Sequence, residues 1–387
     1  MTSPNSKLPT LDTDIQPFNI DIPQVDLNYL KERLIRTRWT DEIVDAGWDY
    51  GTNLTFLRKL VNYWAHEFDW RAEEARLNSF PQYTTTIEGE LIHFVHVRGE
   101  GSNPIPLLLA NGWPSNFVEL LPLIPLLTRE LDGISFDIVI PSLPGFGFSG
   151  KPSERGMNMS RTADLWAHLM TKLGYETFMI SGSDMGAGVE LGLVRNYADR
   201  IIGAHWINVY SGFERPQEPT EEEKAYFAKV DYLNFTEGAY AMLQGTKPTS
   251  LAVGLNDSPA GLAAWIVEKY HFWGDTQGNV ESIFPLDTLC SILTIYWVTE
   301  TIGSSVRLYK EAFADNELLS PVPKHHVPQG VLLPGPADVP APRAWGDLHI
   351  QNIIRWTELD KGGHFPALEY PEVTATDIRG FYHDIKL

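Results

Sequence analysis

The chain has 387 residues, 43% of them hydrophobic and 21% charged, which is typical of a globular protein with one large core. Its formal net charge of −20 disfavours nucleic acid and anionic membrane surfaces as partners, because both repel an acidic protein. The single cysteine, Cys290, excludes an internal disulfide and favours a reducing compartment. No run reaches the ~18 apolar residues of a membrane span, and residues 1–20 do not form a signal peptide. We therefore expect a soluble, cytoplasmic protein.

The first part of the chain, residues 1–80, is predicted to be a helical segment. Apolar residues recur at helical spacing over residues 25–34 and again over residues 57–68.

Residues 81–211 contain short apolar runs that alternate with amphipathic stretches, a pattern typical of a parallel sheet covered on both faces. Residues 212–322, here called the lid segment, read as helical and rich in aromatic side chains. Residues 323–387 return to a strand and a closing helix. Strands are predicted at residues 91–97, 105–110, 136–140, 177–180, 201–207 and 330–333. The sequence thus predicts an α/β core interrupted by a helical lid over the carboxyl ends of the strands, where such sheets bind ligands.

Residues 179–188 carry the strongest chemical signal. An apolar strand runs into the motif Gly-Ser-Asp-Met-Gly, centred on Asp184, and then into a helix. A reactive residue between small neighbours at such a turn is typical of the nucleophile elbow of α/β-hydrolases. A carboxylate at this position suits attack on saturated carbon, because the resulting ester can be cleaved by water. The alternative is an aspartate that only caps a helix.

A histidine close to the C-terminus is the candidate base. His364 follows two glycines and precedes an apolar helix start, and in α/β-hydrolases the base comes last in the chain order. A lone histidine is usually structural, so its assignment depends on pairing with Asp184.

The loop after the strand at residues 105–110 is the candidate oxyanion hole. It contains Asn111, Gly112 and Trp113, and α/β-hydrolases donate a backbone N–H from this position. The second donor is expected to be the backbone N–H of Met185, directly after the nucleophile. A simple turn is the alternative.

Several segments together resemble the microsomal-type epoxide hydrolases, including their soluble fungal members, over nearly the whole chain. The resemblance lies in the N-terminal segment, in the loop after a strand, and in the lid segment. The matching residues are FDWR at 68–71, LN at 77–78, IEG at 87–89, IHFVHV at 92–97, PGFGFS at 144–149, QGTKP at 244–248 and NDSPAGLAAWIVEK at 256–269.

The resemblance implies an α/β-hydrolase fold whose N-terminal segment embraces core and lid. It also implies that two lid tyrosines, Tyr240 and Tyr309, hydrogen-bond the epoxide oxygen. A phenol suits this role because ring opening generates an alkoxide. The substrate pocket is expected to include Asn111, Trp113, Phe148 and Met185, and to accept hydrophobic, aryl-substituted epoxides.

The third member of the triad is the least determined. The family's acid aligns with Ala337, one residue before Asp338, so Asp338 is the candidate, with Asp347 and Glu214 as alternatives. Two further departures lie at Asn111, where the family usually has histidine, and at Met185, where it usually has tryptophan.

The sequence therefore predicts an epoxide hydrolase that forms an ester on Asp184 and releases a vicinal diol after attack by water activated by His364. No cofactor or metal is expected; the partners are a small epoxide and water, and the resemblance suggests a homodimer. Three alternatives remain open: a haloalkane dehalogenase, which Met185 disfavours, an epoxide-opening isomerase or cyclase, and a ligand-binding protein without activity.

Overall fold

The computed structural model describes residues 14–318 and 320–387. The signal-peptide expectation and the start of the predicted helical segment fall on residues 1–13, outside the described residues. The described residues form one nine-stranded sheet. Its strands are β1 (Gln16–Phe18), β2 (Gln82–Ile87), β3 (Glu90–Val97), β4 (Ile105–Ala110), β5 (Phe136–Pro141), β6 (Phe178–Gly182), β7 (Ile201–Ile207), β8 (Gln329–Leu333) and β9 (Ile353–Glu358).

The strands lie in the order β1-β2-β3-β5-β4-β6-β7-β8-β9. From β5 to β9 all neighbours are parallel, whereas β1, β2 and β3 pair antiparallel at one edge. The predicted mostly parallel α/β fold is confirmed. Each of the six predicted strands is present, although the first of them, β3, pairs antiparallel with β5.

Three strands were not predicted, and all lie outside the buried centre of the sheet. Strand β1 has only three residues and lies within the segment read as entirely helical, so that reading was wrong at residues 16–18. Strands β2 and β9 carry threonine, glutamine, arginine and glutamate among their apolar residues. A central parallel strand is predicted from a continuous apolar run. Strands β2 and β9 have a mixed composition without such a run, so they were not predicted.

The helices cover both faces of the sheet and build the lid segment. In the described residues they are α1 (Gln24–Ile35), α2 (Leu54–His66), α3 (Trp70–Asn78), α4 (Leu123–Thr128), α5 (Met159–Lys172), α6 (Met185–Asn196), α7 (Glu221–Thr236), α8 (Ala239–Thr246), α9 (Pro248–Asp257), α10 (Pro259–Trp273), α11 (Leu286–Thr299), α12 (Ile302–Phe313), α13 (Arg343–His349), α14 (Pro366–Glu369) and α15 (Pro371–Ile385). None of the described helices combines the length and apolar character that crossing a bilayer requires.

The N-terminal helices contact the lid segment directly. The buried indole N–H of Trp64 on α2 donates to the hydroxyl of Thr294 on α11 over 2.8 Å. The hydroxyl of Thr52 donates to the carbonyl of Ala264 on α10. Strand β1 meanwhile adds to the sheet. The N-terminal segment therefore contacts both the core and the lid segment.

The parallel strands bring distant parts of the sequence to one edge. The loops that follow β4, β6, β8 and β9 carry residues 111–114, Asp184, Asp338 and His364, respectively. Because parallel strands end on the same side, these loops meet at the carboxyl edge of the sheet, the usual ligand-binding position of such folds.

Candidate active site

Asp184 occupies a sharp turn between β6 and α6. Its φ of +50° and ψ of −126° lie in a region that costs a residue with a side chain free energy, and such strain concentrates at functional sites. The turn also brings α6 very close to β4. A Cβ atom on Gly186 would lie 2.6 Å from the carbonyl carbon of Ala110, so only glycine fits there. The small neighbours of Asp184 are thus explained by crowding, as expected for a nucleophile elbow.

The loop after β4 holds one oxygen of Asp184. The backbone N–H of Trp113 donates to Oδ1 of Asp184 over 3.1 Å. A Cβ atom on Gly112 would lie 2.0 Å from this Oδ1 and 2.7 Å from the backbone nitrogen of Met185. The Trp113 N–H therefore contacts one carboxylate oxygen, and the Met185 backbone nitrogen lies on the same side of the turn, where a tetrahedral oxyanion would need donors.

The other oxygen of Asp184 contacts the candidate base. Nε2 of His364 lies 3.3 Å from Oδ2 of Asp184, and Nδ1 lies 3.2 Å from Oδ2 of Asp338. Of the three carboxylates considered for this position, Asp338 is the one that the structure brings to His364. Asp347 instead pairs with Arg343 over 2.8 Å, and Glu214 is exposed.

The charges around His364 change its proton affinity. Burial lowers the pKa of His364, but Asp338 and Asp184 raise it by more, so the pKa lies well above its ordinary value. Asp184 and His364 keep 19% and 20% of their side chains exposed, respectively, so a small molecule and water can reach both.

The loop that carries His364 is fastened to the lid segment. The backbone N–H of His364 donates to the carbonyl of Trp273 at the end of α10 over 2.8 Å. The carboxylate of Glu369 accepts the backbone N–H groups of Asp275, Gly363 and Phe365 at 2.9, 3.0 and 2.9 Å. Glu369 thereby links both sides of His364 to the lid segment.

Aromatic side chains from the lid segment cluster on Trp113. The ring of Tyr240 on α8 is stacked on Trp113, with 5.4 Å between the ring centroids. The rings of Tyr309 on α12 and Trp273 contact both Trp113 and Tyr240. Trp273 also contacts the imidazole of His364, with 5.1 Å between the centroids. The cluster forms an apolar surface beside the carboxylate and the imidazole.

Both phenols of this cluster are held in their protonated form. Burial and the negative charge of Asp184 raise the pKa of Tyr240. Burial, the neighbouring Tyr240 and Asp184 raise the pKa of Tyr309. A neutral phenol in contact with an anion is a hydrogen-bond donor, which is the property that an opening epoxide requires.

Asn111 lies next to the site, but its amide is turned into the protein. Its Nδ2 donates to the carbonyl of Asn116 at 2.8 Å and to Oε2 of the buried Glu119 at 3.1 Å. These hydrogen bonds hold the loop that carries Trp113, and contact of Asn111 with substrate stays a prediction. Burial raises the pKa of Glu119 to about 7, while the hydrogen bond that it accepts from Asn111 lowers it.

The structure does not bring Phe148 to the other predicted site residues. Its ring contacts Phe18, His93 and Phe117, with centroid distances of 5.1, 5.4 and 6.2 Å. The loop after β5 packs this ring toward β1 and β3, and a role for Phe148 in the substrate pocket stays a prediction.

Sequence reasoning missed Trp273, Glu119 and Glu369. Trp273 ends a helix in a segment with many aromatic residues, and nothing local distinguishes it. Glu119 lies in an apolar stretch, where a lone acid is a usable signal of a buried functional or structural carboxyl group. Glu369 belongs to the same quoted segment as His364, but its three N–H partners become visible only in the folded chain.

Two family models match the chain. Residues 15–120 match the model described as the epoxide hydrolase N-terminus, and residues 105–241 match the model of the α/β-hydrolase fold. The chain is 38% identical to a putative epoxide hydrolase of Stigmatella aurantiaca, with 96% of this chain and 86% of that protein covered. It is 34% identical to epoxide hydrolase 1 of Sus scrofa, with 96% and 89% covered. The chain belongs to the epoxide hydrolase family.

A solved structure supports the same assignment. The epoxide hydrolase of Aspergillus niger superposes on this chain with a TM-score of 0.86 at 32% sequence identity, covering 98% of this chain and 99% of that one. The present chain therefore shares its whole architecture, including the lid segment, with the Aspergillus niger enzyme.

The close approach at Gly112 predicts a loss of activity without a loss of fold. Gly112→Ala should lower epoxide turnover by about 100-fold or more, because the new methyl group displaces either Asp184 or the Trp113 N–H. Gly254→Ala is the matched control, since its Cβ would meet nothing within 4 Å. Turnover and circular dichroism of both variants test this; near-normal turnover in Gly112→Ala would contradict the assigned geometry.

The raised pKa of Glu119 predicts that the free energy of unfolding of the protein depends on pH. With its pKa raised from 4.5 to about 7 in the fold, the neutral carboxyl is favoured on folding. Stability from this group is therefore present below about pH 4.5 and is lost as the pH rises through about 7. Relative to Glu119→Gln, the wild type should lose up to about 3 kcal/mol in free energy of unfolding across this range. Urea titrations at several pH values measure it, and parallel curves would refute it.

Proposed function

We propose that this enzyme converts a hydrophobic, aryl-substituted epoxide to a vicinal diol through a covalent ester on Asp184. The observation that carries the proposal is that the two carboxylate oxygens of Asp184 have different partners. One carboxylate oxygen is held by the N–H of Trp113, and the other contacts His364. The rings of Tyr240 and Tyr309 pack on the side chain of the same Trp113.

In the first half-reaction, Oδ2 of Asp184 attacks an epoxide carbon and the ring C–O bond breaks. The electron pair of that bond moves to the epoxide oxygen, which takes a proton from Tyr240 or Tyr309. The product is a hydroxyalkyl ester of Asp184 and one tyrosinate. Two phenols aimed at one oxygen lower the barrier because they stabilise charge that develops only in the transition state.

Ester formation also prepares the base. The negative charge of Asp184 is one of the causes that raise the pKa of His364, and the ester removes it. The pKa of His364 then falls, the imidazolium gives its proton back toward the tyrosinate, and a neutral imidazole remains. Asp338 continues to hold Nδ1, which leaves Nε2 free to accept a proton.

In the second half-reaction, His364 takes a proton from water and the resulting hydroxide attacks the ester carbonyl carbon. The carbonyl oxygen becomes an oxyanion beside the N–H groups of Trp113 and Met185. Collapse of this intermediate breaks the ester C–O bond and releases the diol after one proton transfer to the departing alkoxide. The remaining carboxylic acid proton returns to the imidazole, which restores the starting state.

The substrate class follows from the surface beside Asp184. Rings of Trp113, Tyr240, Trp273 and Tyr309 provide apolar and π-stacking contacts. An aryl group attached to the epoxide would pack on these rings. In this scheme residues 212–322 act as a lid that supplies both phenols, and residues 1–80 brace it against the core.

A trapped intermediate tests the mechanism. In His364→Gln the first half-reaction should proceed and the second should stall, so styrene oxide should add its own mass to the protein at Asp184. Intact-protein and peptide mass spectrometry measure this adduct, with His326→Gln, an exposed histidine ahead of β8, as the matched control that should turn over normally.

The other outcomes separate the alternatives. Rapid turnover by His364→Gln would contradict the role of the base. Full activity of Asp184→Asn toward a substrate that carries its own nucleophile would indicate an epoxide-opening cyclase instead. Saturable binding of epoxide without turnover by the wild type would indicate a ligand-binding protein.

A further inference from the structure

A buried lysine lies against one of the two phenols of the lid segment. Nζ of Lys269 on α10 is 4.7 Å from the ring centroid of Tyr240 and 5.5 Å from that of Trp273. Its side chain is only 5% exposed. Lysine is rarely buried to this extent, because its ammonium group loses hydration, so its position calls for a physical reason.

The surrounding charges only partly account for this lysine. Oε2 of Glu268, its neighbour on α10, lies 2.6 Å from Nζ. The carboxyl group of Glu237, just after α7, also interacts with the charge of Lys269. Burial raises the pKa of Glu237, and the positive charge of Lys269 lowers it. An ion pair with Glu268 alone would not require the ammonium to lie on two aromatic rings of the active site.

The ring contact has a chemical consequence. When a phenol gives its proton to an oxygen, negative charge spreads over its ring, and a cation on the ring face stabilises that charge. Asp184 acts in the opposite direction, since its charge raises the pKa of Tyr240 together with burial. Lys269 therefore counteracts the effect that would otherwise make Tyr240 a weak proton donor.

We infer that Lys269 is a positioning residue for epoxide opening, which acts through Tyr240 by favouring transfer of the phenol proton to the epoxide oxygen. This rests on the function proposed above. The step is the first half-reaction already described: the Asp184 C–O bond forms, the ring C–O bond breaks, and the phenol proton moves to the epoxide oxygen. Lys269 exchanges no proton or electron.

The half-reaction can be isolated in the His364→Gln protein, in which the ester accumulates. In this parent, the rate of ester formation with styrene oxide is followed by rapid mixing and intact-protein mass spectrometry. Lys269→Met and Lys269→Gln should each slow it about tenfold or more, which corresponds to about 1.4 kcal/mol. Lys269→Arg should retain most of the rate, and Lys229→Met, an exposed lysine on α7, should leave it unchanged.

Glu268→Gln distinguishes an electrostatic role from a structural one. If the ion pair merely supports the fold, removing either partner should slow ester formation. If the cation acts on Tyr240, Glu268→Gln should leave the rate unchanged or raise it, because Lys269 loses its counter-charge. In the Tyr240→Phe background, the effect of Lys269→Met should largely disappear, because the ring that Lys269 contacts no longer carries a phenol proton and the remaining donor is Tyr309.

Equal slowing by Lys269→Met and Glu268→Gln would overturn the inference, as would an undiminished Lys269→Met effect in the Tyr240→Phe background. An unchanged rate in Lys269→Met and Lys269→Gln would also overturn it, while the ester in the parent leaves the proposed function standing. If the parent forms no ester although the wild type turns over styrene oxide, the proposed function fails and this inference fails with it.

Discussion

The close approach of two backbone segments at Asp184 is the constraint on which the site depends. The turn between β6 and α6 and the loop after β4 come so near that glycine is required at positions 112 and 186. This approach places the Trp113 N–H 3.1 Å from one oxygen of Asp184 and leaves the other to His364. Rigid sheet edges hold such distances better than free loops, because each loop is anchored by a buried parallel strand.

The lid segment adds further side chains to the site that lies at the carboxyl edge of the sheet. It contributes the phenols of Tyr240 and Tyr309, and it also fastens the base through the carbonyl of Trp273. The backbone N–H groups that converge on Glu369 join the base loop to residue 275 of the lid segment. Displacement of the lid segment would therefore disturb both phenols and His364 together.

Residues with a strong local pattern were predictable from the sequence. The central strands β4 and β7 were predicted with the observed ends, because an apolar run bounded by turn residues has few other interpretations. Asp184 and His364 stood out because small residues accompany them. The strands β1, β2 and β9 and the environment of Phe148 were not predictable in the same way, since both depend on packing between distant segments. The contacts of Trp273, Glu119 and Lys269 were not predictable, because their neighbours are contributed by other elements.

The central claim is tested most directly by measuring whether the oxygen added to the product comes from Asp184 or from water. With enzyme in excess over styrene oxide in oxygen-18 water, a single turnover should release a diol without the heavy isotope. The peptide containing Asp184 should gain one heavy oxygen, because water attacks the carboxyl carbon and the original carboxylate oxygen leaves with the diol. A first-turnover diol that carries oxygen-18, with an unlabelled Asp184 peptide, would show that water opens the epoxide directly and would contradict the covalent mechanism.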